Sequence, residues 1–117
     1  MKKLLLAMIM AFSVNAEEVP VEYIQYYMQD RNIVLQILGA SKWYVYRCGP
    51  LTEKGETYKA VAIDMHKLDM KQIKHESLFQ QGFLVATSYS SCEALWDGMD
   101  ELGLGFLFAK PQLLKNA

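Results

Sequence analysis

The stretch Ser90-Ser91-Cys92-Glu93-Ala94-Leu95-Trp96-Asp97-Gly98-Met99-Asp100-Glu101-Leu102-Gly103 reads as one amphipathic helix carrying a cysteine near its start. Ser90 and Glu93 have the spacing of a capping box, in which a hydroxyl and a carboxylate each satisfy the other residue's backbone N–H. Cys92, Leu95, Met99 and Leu102 recur at intervals of three and four and so share a face. Gly103 then offers a residue that can end the helix in a left-handed turn. The second cysteine of the chain, Cys48, lies 44 residues earlier. A bridge between the two would tie this helix to the first half of the chain. It would restrict the unfolded chain by about 4 kcal/mol on the loop-entropy account.

Working back from that helix, Tyr58, Val61, Ala62, Met65 and Leu68 repeat at three and four, which predicts a helix over Glu56–Lys67 with Thr52–Gly55 as its approach. Asp69 followed by Gln72 is a second candidate cap. From there Met70 and Ile73, then Leu78, Phe79, Phe83, Ala86 and Tyr89, predict a short helix and a longer one, with Ser77 and Gly82 as weak points. Val21–Leu38 carries Ile24, Tyr27, Val34 and Leu38 on one face, broken by Arg31, with Pro20 able to open the helix and Gly39 to end it. Ser41–Arg47 is readable as a short helix or an extended arm, because its aromatic and β-branched residues favour strand while Ser41 is a good cap. Gly49-Pro50 breaks the chain after Cys48. No alternation typical of strands is present. The expected fold is all-α, a small bundle of four to five helices pinned by one disulfide.

The chain has 117 residues, enough for one domain. Its apolar content of 52% can supply a core. With 12 basic against 13 acidic residues there is no strong field to hold a polyanion, which argues against nucleic acid as a partner. The first sixteen residues have three zones: Met1, Lys2 and Lys3, then the apolar run from Leu4 to Phe12, then Ser13 to Ala16. That is the plan of a secretory signal peptide, with cleavage expected after Ala16. The run is too short to cross a membrane, which takes roughly 20 residues. The remaining chain, Glu17 to Ala117, is expected to form a single soluble helical domain with 10 basic and 13 acidic residues. Two cysteines in an exported protein favour the Cys48–Cys92 disulfide over a reactive thiol. Cys48-Gly49-Pro50-Leu51 lacks the second cysteine that a thioredoxin-type motif needs.

Few residues suggest catalysis. His66 and His75 are nine apart with no cysteine to spare, so no metal site is expected. Asp64, His66 and Asp69 read as a solvated helix face. There is no Gly-x-Ser-x-Gly elbow and no phosphate loop. Gly103-Leu104-Gly105-Phe106 matches by letters a carboxylate-binding loop, but too few residues follow to build such a domain. No cofactor is expected, and the chain is read as a binding protein without enzymatic activity. Tyr23, Tyr26, Tyr27, Trp43, Tyr44, Tyr46 and Trp96 could line a binding surface or fill a core. Lys42 to Lys74 holds seven positive against four negative charges, while Asp97, Asp100 and Glu101 cluster later, so two differently charged faces are expected.

Asp69-Met70-Lys71, the later Cys92 with Ala94-Leu95, the earlier Cys48-Gly49 and the Glu76-Ser77 pair between them make the span Arg31 to Leu102 similar to the pilotins of type II secretion and their non-lipidated relatives in enterobacteria. The resemblance implies a four-helix fold with a concave apolar groove. That groove would take a short C-terminal segment of an outer-membrane secretin, disordered when free and helical when bound. It also implies a periplasmic location and a role in targeting or assembling the secretin. The chain departs from the lipidated pilotins in having no cysteine after its apolar run. From periodicity, the candidate groove residues are Val61, Met65, Leu95 and Met99, methionine being well suited to an adaptable surface. The competing expectation is a periplasmic inhibitor or immunity protein that blocks a cell-wall-degrading enzyme or effector with a protruding surface.

Overall fold

In the computed structural model of the chain, residues 26–111 are described. The expected signal peptide, its cleavage site and the residues from Val21 to Gln25 lie outside them. Among the described residues the protein is all-α, without strands, and a disulfide joins Cys48 to Cys92 with their Cα atoms 5.5 Å apart.

Residues 26–29 are helical, and Asp30 interrupts the chain in an extended conformation. Its carboxylate accepts the Asn32 N–H at 2.8 Å, which starts a new helix, α1, at Arg31–Arg47. In the described part of the single helix expected across Val21–Leu38, Asp30 therefore separates two pieces. The second piece passes straight through Gly39, where a stop was expected. Ser41–Arg47, ambiguous in sequence, completes α1, and the Ser41 hydroxyl donates to the Ile37 carbonyl one turn back at 2.8 Å instead of capping a new element. Gly39 is helical for a tertiary reason. A Cβ built on it would lie 2.0 Å from the Phe79 carbonyl oxygen of a neighbouring helix.

After Gly49 and Pro50, Thr52 caps α2, Glu53–Met65, by accepting the Gly55 N–H at 3.0 Å. The expected approach segment is thus the first turn of the helix, where Glu53 and Glu56 complement the positive end of the helix dipole. Asp69 caps the one-turn α3, Met70–Ile73, through the Lys71 N–H at 3.0 Å, as its place in the sequence implies. The next helix, α4, spans Ser77–Thr87. Ser77 opens it, and Gly82 is buried in its middle, where a Cβ would meet the Gln36 carbonyl oxygen of α1 at 2.0 Å. Gly39 and Gly82 thus let α1 and α4 touch backbone to backbone, each glycine leaving room for a carbonyl of the other helix.

The last helix, α5, spans Cys92–Glu101, and Ser91, one residue later than expected, caps it by accepting the Ala94 N–H at 3.0 Å. Gly103 ends it with a φ of 85°. The Leu104 N–H reaches the Met99 carbonyl and the Gly103 N–H reaches that of Asp100, both at 2.9 Å, which is a Schellman motif. Leu104 and Met99 are buried, which completes the motif's apolar contact.

Beyond Gly103 the sequence carries no periodic signal, yet this segment is core. It forms a short 3-10 turn at Gly105–Leu107, and Leu104, Leu107 and Phe108 are buried with Val34, Leu35, Leu38, Tyr44, Phe79 and Leu95. Hydrogen bonds clasp it to the start of α2. The Thr52 N–H donates to the Leu107 carbonyl and the Ala109 N–H to that of Pro50, both at 3.0 Å, and the Thr52 hydroxyl donates to the Phe106 carbonyl at 2.7 Å. Two side chains close it from the other side, as the Trp96 indole N–H donates to the Phe108 carbonyl at 2.9 Å and the Tyr44 hydroxyl donates to that of Ala109.

Arg31, the residue that broke the apolar face in sequence, pairs with Glu76, the N-cap position of α4, through two hydrogen bonds of 3.1 and 2.8 Å. Hydrogen bonding to the guanidinium holds the Glu76 carboxyl below its ordinary 4.5. A lowered carboxyl pKa means that the folded chain gives up this proton more readily than the unfolded one. The contribution of the pair is therefore complete above pH 4.5 and is lost as pH falls through the lowered folded value. Replacing Arg31 with alanine is expected to return the Glu76 titration toward its ordinary range, which a carboxyl-detected NMR titration reads directly. A Glu76 midpoint that stays low in the variant would show that the N-terminus of α4, and not Arg31, sets it.

Candidate functional site

An open groove of about 430 Å³ runs between α1, α4 and α5. Helix α1 contributes Ile33, Gln36, Ile37 and Ala40, and α4 contributes Gln81, Gly82, Val85 and Ala86, followed by Tyr89. The face of α5 that was legible in sequence supplies Leu95, Met99 and Leu102, with Gly98 between them. Tyr26 and Tyr27 close one end, and Leu104 and Phe108 of the clasped segment are also in contact with the space. The volume falls within the range of about 300–1,000 Å³ typical of ligand pockets.

The lining is chemically uniform: no acidic, basic or histidine side chain contributes to it. Two of its polar side chains and one tyrosine hydroxyl are hydrogen-bonded within the protein. The Gln36 amide donates to Gln81 across the α1–α4 contact at 3.1 Å, and the Tyr27 hydroxyl donates to the Leu102 carbonyl. Tyr89 lies over Gly98, where a Cβ would come within 2.6 Å of its hydroxyl oxygen. The floor of Leu95, Met99 and Ala86 is buried, whereas the rim leaves Val85 53% and Leu102 57% exposed, with Tyr26 and Tyr89 also open to solvent. The exposed apolar side chains are thus grouped round a concave floor instead of being scattered singly over the surface.

Of the four candidate groove residues, Leu95 and Met99 line this groove and Val61 and Met65 do not. The latter two lie on the exposed side of α2, whose buried face is Gly55, Tyr58 and Ala62. Helical spacing placed all four on apolar stripes but could not say which stripe faces a cavity. Val85, Tyr89 and Leu102 define the rim instead. The signal available for Val85 was the run Leu78, Phe79, Phe83, Leu84, Val85: α4 has more apolar residues than one buried face can take, so part of that helix had to remain uncovered.

Residues considered for chemistry have structural partners. The His66 Nε2 lies 2.7 Å from the Met28 carbonyl, so this ring nitrogen carries a proton and donates to the backbone, and Asp69 is a helix cap. No group of three or more histidine, cysteine, aspartate or glutamate residues that could hold a metal ion occurs among the described residues. Burial pushes the hydroxyls of Tyr44 and Tyr58 well above their ordinary range, with charge from Glu93 and Tyr27 respectively adding to the effect. The Tyr58 hydroxyl donates to the Tyr27 carbonyl at 2.6 Å and so secures the end of the groove. Both phenols stay protonated and serve as hydrogen-bond donors in the core.

The geometry defines a disulfide-pinned helical bundle with an uncharged apolar groove. Comparison with protein-family models, with curated proteins and with solved structures returns no match.

Proposed function

We propose that the chain is a periplasmic, non-enzymatic binding protein of the pilotin kind, holding a short helical segment of an outer-membrane secretin in the groove between α1, α4 and α5 and assisting its targeting or assembly. The observation that carries this reading is the groove itself: a buried floor of Leu95, Met99 and Ala86 under an exposed rim of Val85, Tyr89 and Leu102, with no charge in the lining. Such a surface suits the apolar face of an amphipathic helix whose anchors recur at three and four residues. The Cys48–Cys92 bridge supports an oxidising compartment such as the periplasm. The described residues include no helix long and apolar enough to cross a membrane.

The test is a pull-down of the oxidised protein from periplasmic and envelope extract with identification of what elutes, followed by titration of the recovered segment as a peptide. The control is Val85→Asp with Leu102→Asp, two rim positions whose exposure spares the core. A secretin segment is expected to bind wild type. The double variant should lose at least a hundredfold in affinity, because two aliphatic contacts of about 1.5 kcal/mol or more each are removed. Recovery of a cell-wall hydrolase or effector that ignores both substitutions would overturn the groove reading in favour of an inhibitor.

A further inference from the structure

On the side of the molecule away from the groove, two shallow clefts meet at Lys42. One is bounded by Lys74 together with Phe83 and Leu84 of α4, the other by Val45, Tyr46 and Lys59. The clefts are joined by an aromatic row. The Trp43 ring lies 5.5 Å from Phe83, edge to face, and 5.7 Å from Tyr46. Along this face Tyr46 is 75% and Leu84 63% exposed, and Val45 is exposed beside them. Lys42, Lys59 and Lys74 have no ion-pair partner among the described residues, and Glu56 is the one carboxylate on the cleft walls.

We propose that this face is a docking surface for an anionic phospholipid bilayer, with Tyr46, Leu84 and Val45 entering the interface and Lys42, Lys59 and Lys74 meeting the headgroups. Three features favour a lipid surface over another polyanion. The exposed side chains at the centre of the face are apolar or amphipathic, which nucleic acid phosphates would not reward but the headgroup–acyl boundary does. The lysines line the same clefts as those side chains, where each adds attraction to an anionic leaflet. The chain as a whole has a formal charge of −1, so it lacks the broad basic field that draws in nucleic acid. At 100° per residue, α1 turns Ile33, Gln36, Ile37 and Ala40 toward the groove while Lys42, Val45 and Tyr46 point the other way. The protein can therefore lie on a membrane with its groove open.

The experiment is flotation of the oxidised full chain with vesicles of phosphatidylcholine alone and of phosphatidylcholine mixed with phosphatidylglycerol. Wild type is expected to float with the anionic vesicles only and to be released by salt. Lys42→Ala with Lys74→Ala should weaken binding about 25-fold, at about fivefold per lysine, and Leu84→Ser should weaken it further. All three positions are exposed, so unchanged circular dichroism separates lost binding from lost fold. Failure to float with anionic vesicles would overturn the proposal, as would equal binding by wild type and the lysine variant. Retention on double-stranded DNA without binding to vesicles would overturn it in favour of a polyanion site. Because Val85 and Leu102 lie in the groove, their aspartate variants should float like wild type, which keeps this result independent of the groove's occupant.

Discussion

Replacing Gly82 with alanine is expected to lower stability by about 3 kcal/mol, a fall in melting temperature of roughly 10–20 °C for a domain of this size. The added methyl would sit 2.0 Å from the carbonyl oxygen of Gln36, 2.7 Å from its carbonyl carbon and 2.8 Å from its Cα. All three are backbone atoms of α1, so no side chain can swing aside and the two helices must separate. Alanine is the better helix former by about 1 kcal/mol, which offsets part of the cost without reversing it. Gly39→Ala should behave alike, since its Cβ would meet the Phe79 carbonyl oxygen at 2.0 Å and the Phe83 nitrogen at 3.0 Å. Gly98→Ala is the control. The nearest atoms to its methyl would all belong to the Tyr89 side chain, which is exposed and not backbone, and its effect should be well under half as large. Urea denaturation of the three variants checks the ordering. Equal and small effects at all three positions would mean that α1 and α4 do not touch through their backbones.

Removing the disulfide is the other large effect. Cys48→Ala with Cys92→Ala frees a loop of 44 residues and is expected to lower stability by about 4 kcal/mol. Against a total of about 5–15 kcal/mol for a typical domain, that loss is about a quarter to four fifths of the stability. The effect on the groove is more specific. Cys92 is the first residue of α5, Leu95 and Met99 follow on the same helix and Leu102 is its C-cap, so releasing this end frees the wall that they form. The double variant should therefore lose affinity for a groove ligand under conditions where circular dichroism still reports a folded majority. Denaturation midpoints of wild type with and without a dithiol reductant, beside the double variant, provide the check. Reductant should shift wild type to the midpoint of the variant and leave the variant where it is.

The parts of this fold that depend on local rules were open to reading. Asp69 caps α3 because its carboxylate needs only the N–H two residues on, and Gly103 ends α5 because a left-handed turn is easiest for glycine. The even cysteine count in a chain with an export-like start pointed to the bridge between Cys48 and Cys92. Reading failed where the meaning of a residue lies in a distant partner. Gly39 resembled a helix stop and Gly82 a weak point, yet each marks the place where a carbonyl of the other helix approaches. Leu104 to Phe108 had no period to detect because backbone bonds to Pro50 and Thr52, more than fifty residues away, hold the segment in place. The groove was half legible for the same reason. Periodicity found Leu95 and Met99 on the helix that lines it, but the rim formed by Val85 and Tyr89 depends on where α4 runs out of neighbours.

The clasp between α2 and the segment after Gly103 also has a kinetic side. Thr52 and Leu107 are 55 residues apart along the chain, a long search for a contact that local helix formation does little to shorten. Once Cys48 and Cys92 are joined, the shortest covalent route between them runs through the sulfurs, four residues on one side and fifteen on the other. Shortening the route from 55 residues to 19 lowers the entropy barrier to closure by about 1 kcal/mol, roughly a fivefold gain in rate. This last part of the core therefore assembles fastest where the bridge has already been made.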